Sequence, residues 1–180
     1  RCWLAVRGGL AVPPVMGSRS TFLPGGFGGY LGRPLRSLDV LSKGERTGAL
    51  RLARAQSPSA GERAAPLRVV AGPQAGQFDD AGLAAFFGGI FRVSASTDRR
   101  GVRLAGPEVT HWRAELPSQG VLPGAVQVPP DGQPIILGWD GPVTGGYPVI
   151  AGVIAADWPR LAQLRPGDAV HLEADVLSKY

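Results

Sequence analysis

Three stretches of the chain set polar or flat side chains beside glycine. Gly17-Ser18-Arg19-Ser20-Thr21 places hydroxyls and a guanidinium in consecutive positions, and Gly25-Gly26-Phe27-Gly28-Gly29 follows closely. Hydroxyls and a guanidinium fork suit a carboxylate, a carbamoyl group or a phosphate, and glycine lets the backbone approach such a ligand. Ser and Thr in such a loop also bond to neighbouring backbone, so the stretch equally fits a self-satisfied turn. The second stretch is Val126-Gln127-Val128-Pro129-Pro130-Asp131-Gly132-Gln133-Pro134. Strand alternation faces Gln127 opposite to Val126 and Val128, so its amide is expected to point into a barrel mouth. Gln127 and Gln133 together match a ureido or lactam group, which offers a carbonyl acceptor and N–H donors; the plainer reading is a turn with Asp131-Gly132 at its tip. In the third, Thr144-Gly145-Gly146-Tyr147-Pro148, paired glycines permit a crowded backbone and Tyr147 offers a ring and a hydroxyl, either as one wall of a site or as an ordinary core aromatic.

Other chemistries find little support. The single cysteine is Cys2, and no Gly-x-Ser-x-Gly elbow occurs. His111 and His171 have no obvious serine partner, and with one cysteine and two histidines no Cys/His zinc site can form, so no metal is expected. Asp98, Glu108 and Asp131 are the carboxylates best suited to acid or base work, yet nothing pairs any two of them. Lys43-Gly44 lacks the order of a phosphate-binding loop, so the chain carries no nucleotide loop of its own.

These side chains need a scaffold, and its punctuation is visible. The 27 Gly and 17 Pro separate short apolar runs at Leu67 to Val70, Ala125 to Val128, Pro134 to Leu137 and Val149 to Ile154, the pattern of strands joined by tight turns. Trp3 to Val6 also reads as strand, and Arg165-Pro166-Gly167-Asp168 as a turn into a strand from Ala169 to Leu172. Two helices are predicted, near Asp79 to Phe87 and near Asp157 to Leu164, the latter with Asp157 as its N-cap and Pro159 in its first turn. Many strands and two short helices favour a closed or sandwich-like β architecture, because edges must be hidden. The 180 residues suit one domain over residues 1–180, with Lys43–Pro66 an exposed linker rich in Arg, Ala, Ser, Gly and Pro.

Net charge is +5 with a pI near 10.1, but Lys43 and Lys179 are the only lysines, and compositional bias toward arginine accounts for the basicity. Arg99, Arg100 and Arg103 cluster without the aromatic row a single-strand binder needs, so nucleic acid is not an expected partner. Neither is a membrane: no stretch approaches the roughly 18 apolar residues of a span. With no secretory pattern and no disulfide framework, a cytoplasmic setting is expected. The chain opens without Met in strand-like sequence, so an N-terminal portion is expected to be missing.

Taken in order, Leu4-Ala5-Val6-Arg7-Gly8-Gly9, Val12-Pro13-Pro14-Val15-Met16-Gly17-Ser18-Arg19-Ser20-Thr21, the glycine run from Gly25, and Ala125 through Pro134 resemble the C subunit of 5-oxoprolinase. That family is also known as the biotin-dependent carboxyltransferase, or allophanate hydrolase subunit 2, family. Thr144-Gly145-Gly146-Tyr147-Pro148 and Leu161 through Asp168 extend the match. Where the family usually has Met, an aromatic and Glu, this chain has Arg100, Val102 and Ala105, and Asp140-Gly141-Pro142-Val143 stands in place of Asp-Arg-Gln-Thr. The resemblance implies a mostly-β, cyclophilin-like barrel with two short helices. It also implies a partner similar to the B subunit of 5-oxoprolinase, with a larger A subunit, in an assembly that opens 5-oxoproline to glutamate using ATP. Related domains carboxylate urea from carboxybiotin, and another relative is a regulatory protein that antagonises a kinase inhibitor. The substrate-binding residues expected are Ser18, Arg19, Ser20, Gln127, Gln133, Thr144 and Tyr147, facing a small amide or lactam.

Overall fold

The computed structural model describes residues 4–45, 66–112 and 116–175. Most of the Lys43–Pro66 linker, with Cys2, Trp3 and Lys179, lies outside the described residues. The chain divides into two compact units, Arg1–Ala55 and Gln56–Tyr180.

In the first unit, strand-like expectation meets a loop: residues 4–6 form no strand, and a turn closed by Gly9 N–H to the Val6 carbonyl, 2.8 Å, follows them. Its regular pairing is the short ribbon of β1 (Thr21–Phe22) and β2 (Phe27–Gly28). None of its described residues is buried, and the Arg33–Asp39 ion pair, with the Arg33 guanidinium 5.3 Å from the centre of the Tyr30 ring, braces the end of the loop.

The second unit holds β3 (Leu67–Ala71), α1 (Asp80–Gly88), β4 (Phe91–Val93), β5 (Gly101–Ala105), β6 (Gln119–Gly120), β7 (Ala125–Gln127) and β8 (Ile135–Leu137). It continues with β9 (Thr144–Gly145), β10 (Val149–Val153), α2 (Trp158–Gln163), β11 (Ala169–Val170) and β12 (Leu172–Ala174). Eight strands form one sheet in the order β11-β4-β5-β8-β7-β10-β3-β12, antiparallel throughout except for β3 with β12. The predicted strand at Ala169 is broken at His171, and the break has a purpose. β11 pairs with β4 at one edge and β12 with β3 at the other, so consecutive residues stitch both edges into a nearly closed barrel. The His171 carbonyl accepts from Leu67 N–H at 2.9 Å, and Asp175 N–H reaches the Val69 carbonyl at 2.8 Å. This is the mostly-β, cyclophilin-like barrel with two short helices that the motifs imply.

The main core gathers Val69, Phe86, Phe91, Leu104, Val126, Val128, Ile136, Ile150 and Leu172, with Leu83 and Phe87 of α1 packed against it. β-branched and aromatic residues dominate these strands, as a pleated buried surface favours. A second cluster, Val121, Leu137 and Val149 with Ala125 and Ile135, covers the other face of β7, β8 and β10.

Both predicted helices form, with one correction. Asp79 caps α1, its carboxylate accepting from Gly82 N–H and from the Thr110 hydroxyl, both at 2.6 Å. Asp157, expected to cap α2, makes no side-chain cap. Its carboxylate accepts instead from Arg68 N–H at 2.8 Å, Nε at 3.1 Å and Nη2 at 2.8 Å, and from the Arg160 guanidinium. Guanidinium donors are stronger partners for a carboxylate buried to 1 % exposure than a lone helix amide. Burial alone would push the Asp157 carboxyl up; the bonds from Arg68 and Arg160 overcome it and hold the group well below the usual carboxylate range.

Candidate functional site

Along β7, Val126 and Val128 enter the main core while Gln127 turns to the opposite face, as alternation requires. That face is not a barrel mouth. The register sets Gln127 opposite Ile135 and Val149, both at the second cluster, and the ribbon of β6 and β9 lies over it. Gln127 is 4 % exposed, and a Cβ on Gly145 would stand 2.5 Å from its Nε2. Glycine at 145 is therefore what lets β9 lie on the amide. Nε2 donates to the Tyr147 carbonyl at 3.5 Å, the outer limit of such a bond. The structure thus gathers Gln127, Thr144 and Tyr147 around Gly145, with Thr144 exposed and Tyr147 36 % exposed at the surface.

A second glutamine pair adjoins this wall and was missed from sequence. Gln74 follows β3 and pairs with Val149 as a strand residue would, its N–H donating to the Val149 carbonyl at 3.2 Å and its Oε1 accepting from Val149 N–H at 3.1 Å. Its Nε2 donates to Gln119 Oε1 at 3.1 Å. Gln119 lies in β6 directly opposite Gly145. The only local signal is Gly72-Pro73 ahead of Gln74, a break that ends strand pairing just where a side chain takes it over.

Gln133 is placed differently. Its Oε1 accepts from Gly106 N–H at 2.9 Å and its Nε2 donates to the Gly106 carbonyl at 3.4 Å, while its own N–H meets Asp131 Oδ1 at 3.0 Å. Both ends of the amide thus brace the hairpin tip, whose turn at Asp131-Gly132 forms as expected, with Gly132 at φ 67°.

Ser18, Arg19 and Ser20 belong to the first unit and are exposed. A tight turn with mutual Val15–Ser18 backbone bonds of 2.8 and 3.0 Å precedes them. Ser18 Oγ accepts from Ser20 N–H at 3.1 Å, and Arg19 Nε donates to the Val12 carbonyl at 3.1 Å. Gly28 and Gly29 pack directly on Ser20 and Thr21, where side chains would collide, so the glycine run and the hydroxyl run form one loop. Arg19 meets no carboxylate among the described residues, which leaves its Nη groups for an anion.

Both histidines lie against backbone carbonyls, and Asp98 against a neighbouring guanidinium. His111 Nε2 lies 3.3 Å from the Pro129 carbonyl, and His171 Nδ1 3.3 Å from that of Gly89. Asp98 is paired with Arg100 at 2.9 Å. Among the described residues no group of His, Cys, Asp and Glu could hold a metal ion, and no helix is long and apolar enough to cross a membrane. A cavity of about 580 Å3 between β3 and α1 is lined mainly by apolar residues, Val69, Val70, Leu83, Phe87 and Ile150 among them, with Asp175 the one charged residue of its lining.

A nearly closed barrel carrying an amide-lined outer wall is the scaffold that comparison with known proteins matches to a carboxyltransferase-type domain. The chain belongs to the family described as carboxyltransferase domain, subdomain A and B, which it matches over residues 1–174. It is 42 % identical over 173 residues to the C subunit of 5-oxoprolinase from Escherichia coli (strain K12), a match covering 95 % of this chain and 55 % of that protein. It is 32 % identical over 194 residues to urea amidolyase of Lachancea kluyveri, covering 94 % of this chain and 10 % of that protein. The solved structure of the K. lactis urea amidolyase superposes with a TM-score of 0.72 at 30 % identity, covering 92 % of this chain and 11 % of that one. The chain spans about half the length of the 5-oxoprolinase relatives it matches.

Proposed function

We propose that the protein is a cytoplasmic member of an ATP-dependent 5-oxoprolinase assembly and supplies groups that recognise the small lactam as it is opened to glutamate. The observation that carries this reading is Gln127, a buried amide with one long bond, held under a glycine that makes room for it. An under-bonded buried amide in an apolar wall is suited to another amide, since each offers what the other lacks. In this reading Gln127, Thr144 and Tyr147 serve the amide part of the substrate and Gln133 fixes the adjoining hairpin. By itself, the Ser18, Arg19 and Ser20 loop of the first unit is suited to an anion. The 42 % identity to a 5-oxoprolinase component supports a lactam as the amide.

The N-terminus of α1 offers ATP no phosphate site. The N-terminus of α1, where a phosphate would sit, is closed by Asp79 and bears Asp80. In this reading ATP is used by the assembled complex, and no step through it is assigned to this chain. A second reading, carboxyl transfer from carboxybiotin to urea or a similar amide, draws on the likeness to urea amidolyase and would use the same amide wall.

The deciding test is 5-oxoproline-dependent ATP hydrolysis by the full-length protein mixed with candidate B and A subunits, against each omission. Turnover that needs all three supports the oxoprolinase reading. A tight complex without turnover removes it, and urea with carboxybiotin is then assayed.

A further inference from the structure

We infer that Gln119, oriented by Gln74, donates to a neutral carbonyl oxygen of the substrate beneath the β6–β9 ribbon; this rests on the small-amide reading above.

The orientation of both glutamines follows from one obligate donor. Val149 N–H can only donate, so the Gln74 atom it meets at 3.1 Å is Oε1. The other end of Gln74 is then its NH2, and the Gln119 atom that accepts from it at 3.1 Å must be Oε1. That leaves the Gln119 NH2 at the far end, and this atom is buried with no hydrogen-bond partner. Buried donors without acceptors are rare because their desolvation is uncompensated. Gln119 cannot turn over to escape this, because a flip would set its NH2 against that of Gln74.

The direction of the unpaired group is also given. Gln119 and Gly145 are directly opposed in an antiparallel pair, and opposed residues project to the same face of a ribbon. The Cβ direction of Gly145 runs to Gln127 Nε2. The Gln119 side chain therefore lies on the Gln127 side of the ribbon, and two amide NH2 groups, one unbonded and one held by a single 3.5 Å bond, flank Gly145. Around them stand Gln74, Val149 and Tyr147, and none of these carries a charge. Against Gln74, Val149 and Tyr147 alone a carboxylate would lose its hydration without a cation in return, whereas a lactam or ureido oxygen needs only such neutral donors. The Gln119 NH2 is shielded from solvent, so an oxygen reaching it requires the ribbon to part from the wall. β6 and β9 are two residues each and are flanked by the Val121–Val143 and Leu116–Gly146 backbone bonds.

Two measurements test this. In the full chain, with glutamine side chains labelled with nitrogen-15, 2-pyrrolidinone and 5-oxoproline should move the Gln119 NH2 resonances, and acetate should not. In the reconstituted three-component complex, Gln119→Met should raise KM for 5-oxoproline about ten- to hundredfold, the range of one lost hydrogen bond to a buried partner. If Gln119 merely holds Gln74 in place, KM stays as in the wild type. Resonances still on both lactams, resonances moved equally by acetate, or an unchanged KM in an active complex would each overturn the inference. A wild-type complex inert toward 5-oxoproline, with Gln119 still responding to the lactams, would defeat the oxoprolinase reading and leave this carbonyl site standing.

Discussion

Replacing Asp157 by Ala should destabilise the second unit more than any exposed substitution, and the amount can be worked from its partners. The change strips the acceptor from three Arg68 donors and from the Arg160 guanidinium. Removing one partner of a buried ion pair costs about 3–5 kcal/mol. The Arg68 side chain is 42 % exposed and regains water, while that of Arg160 is only 17 % exposed, which places the loss near the lower end, roughly 3 kcal/mol. At about 2–4 °C per kcal/mol for a chain of this size, the melting temperature falls by roughly 6–12 °C. The pH dependence supplies a second check. The Asp157 carboxyl is lowered in the folded state, so its contribution is fully present above the unfolded carboxylate value near 4 and is lost as pH falls below it. The gap between wild type and Asp157→Ala, measured by differential scanning calorimetry, should be constant from pH 7 to about 5 and narrow progressively below about 4. A gap under about 1 kcal/mol at pH 7, the worth of an exposed pair, or one that stays constant down to pH 2, would refute the reasoning.

Gly145→Ala should push the Gln127 amide aside, costing about 1–3 kcal/mol by overpacking and reducing turnover of the assembled complex; adding Gln127→Ala should restore the melting temperature but not the turnover. Arg19→Ala should abolish complex activity and leave the circular dichroism spectrum and melting temperature unchanged; unchanged activity removes Arg19 from the site. Gln133→Met should cost about 1–2 kcal/mol through the two lost Gly106 bonds, with KM unaltered in those molecules that remain folded. In the first unit, the bond from Arg33 to Asp39 holds the Asp39 carboxyl down at about 2. Amide exchange at residues 33–39 should therefore quicken as pH falls from about 4 toward 2, relative to Asp39→Asn, in which exchange follows only intrinsic chemistry.

Strands β3, β7, β8 and β10 were legible because Gly and Pro bracket runs of Val and Ile, whereas β4 and β5, with an arginine at the centre of each, were not singled out. The two helices were equally visible. Asp157 shows why capping was misassigned: an Asp before Trp-Pro has the local signature of a cap, but Arg68 is remote in sequence and claims the carboxylate. Gln127 shows the same limit. Period-two alternation says that it faces away from Val126, but not which face is open and which is covered by β6 and β9. Gln74 and Gln119 lay outside every motif, because their meeting depends on chain pairing far from both. Ser18 through Thr21 were readable because their contacts with Gly28 and Gly29 are local.

The stitch at His171 also bears on how the protein comes into being. Until residues 169–174 emerge during synthesis, the outer edges of β4 and β3 lack the partners that they have in the folded barrel. Closing the loop back to Leu67 is a long-range event that comes late. The newborn barrel therefore passes through an open form with two adhesive margins, and its yield in a crowded cell depends on how fast a few late residues dock between them.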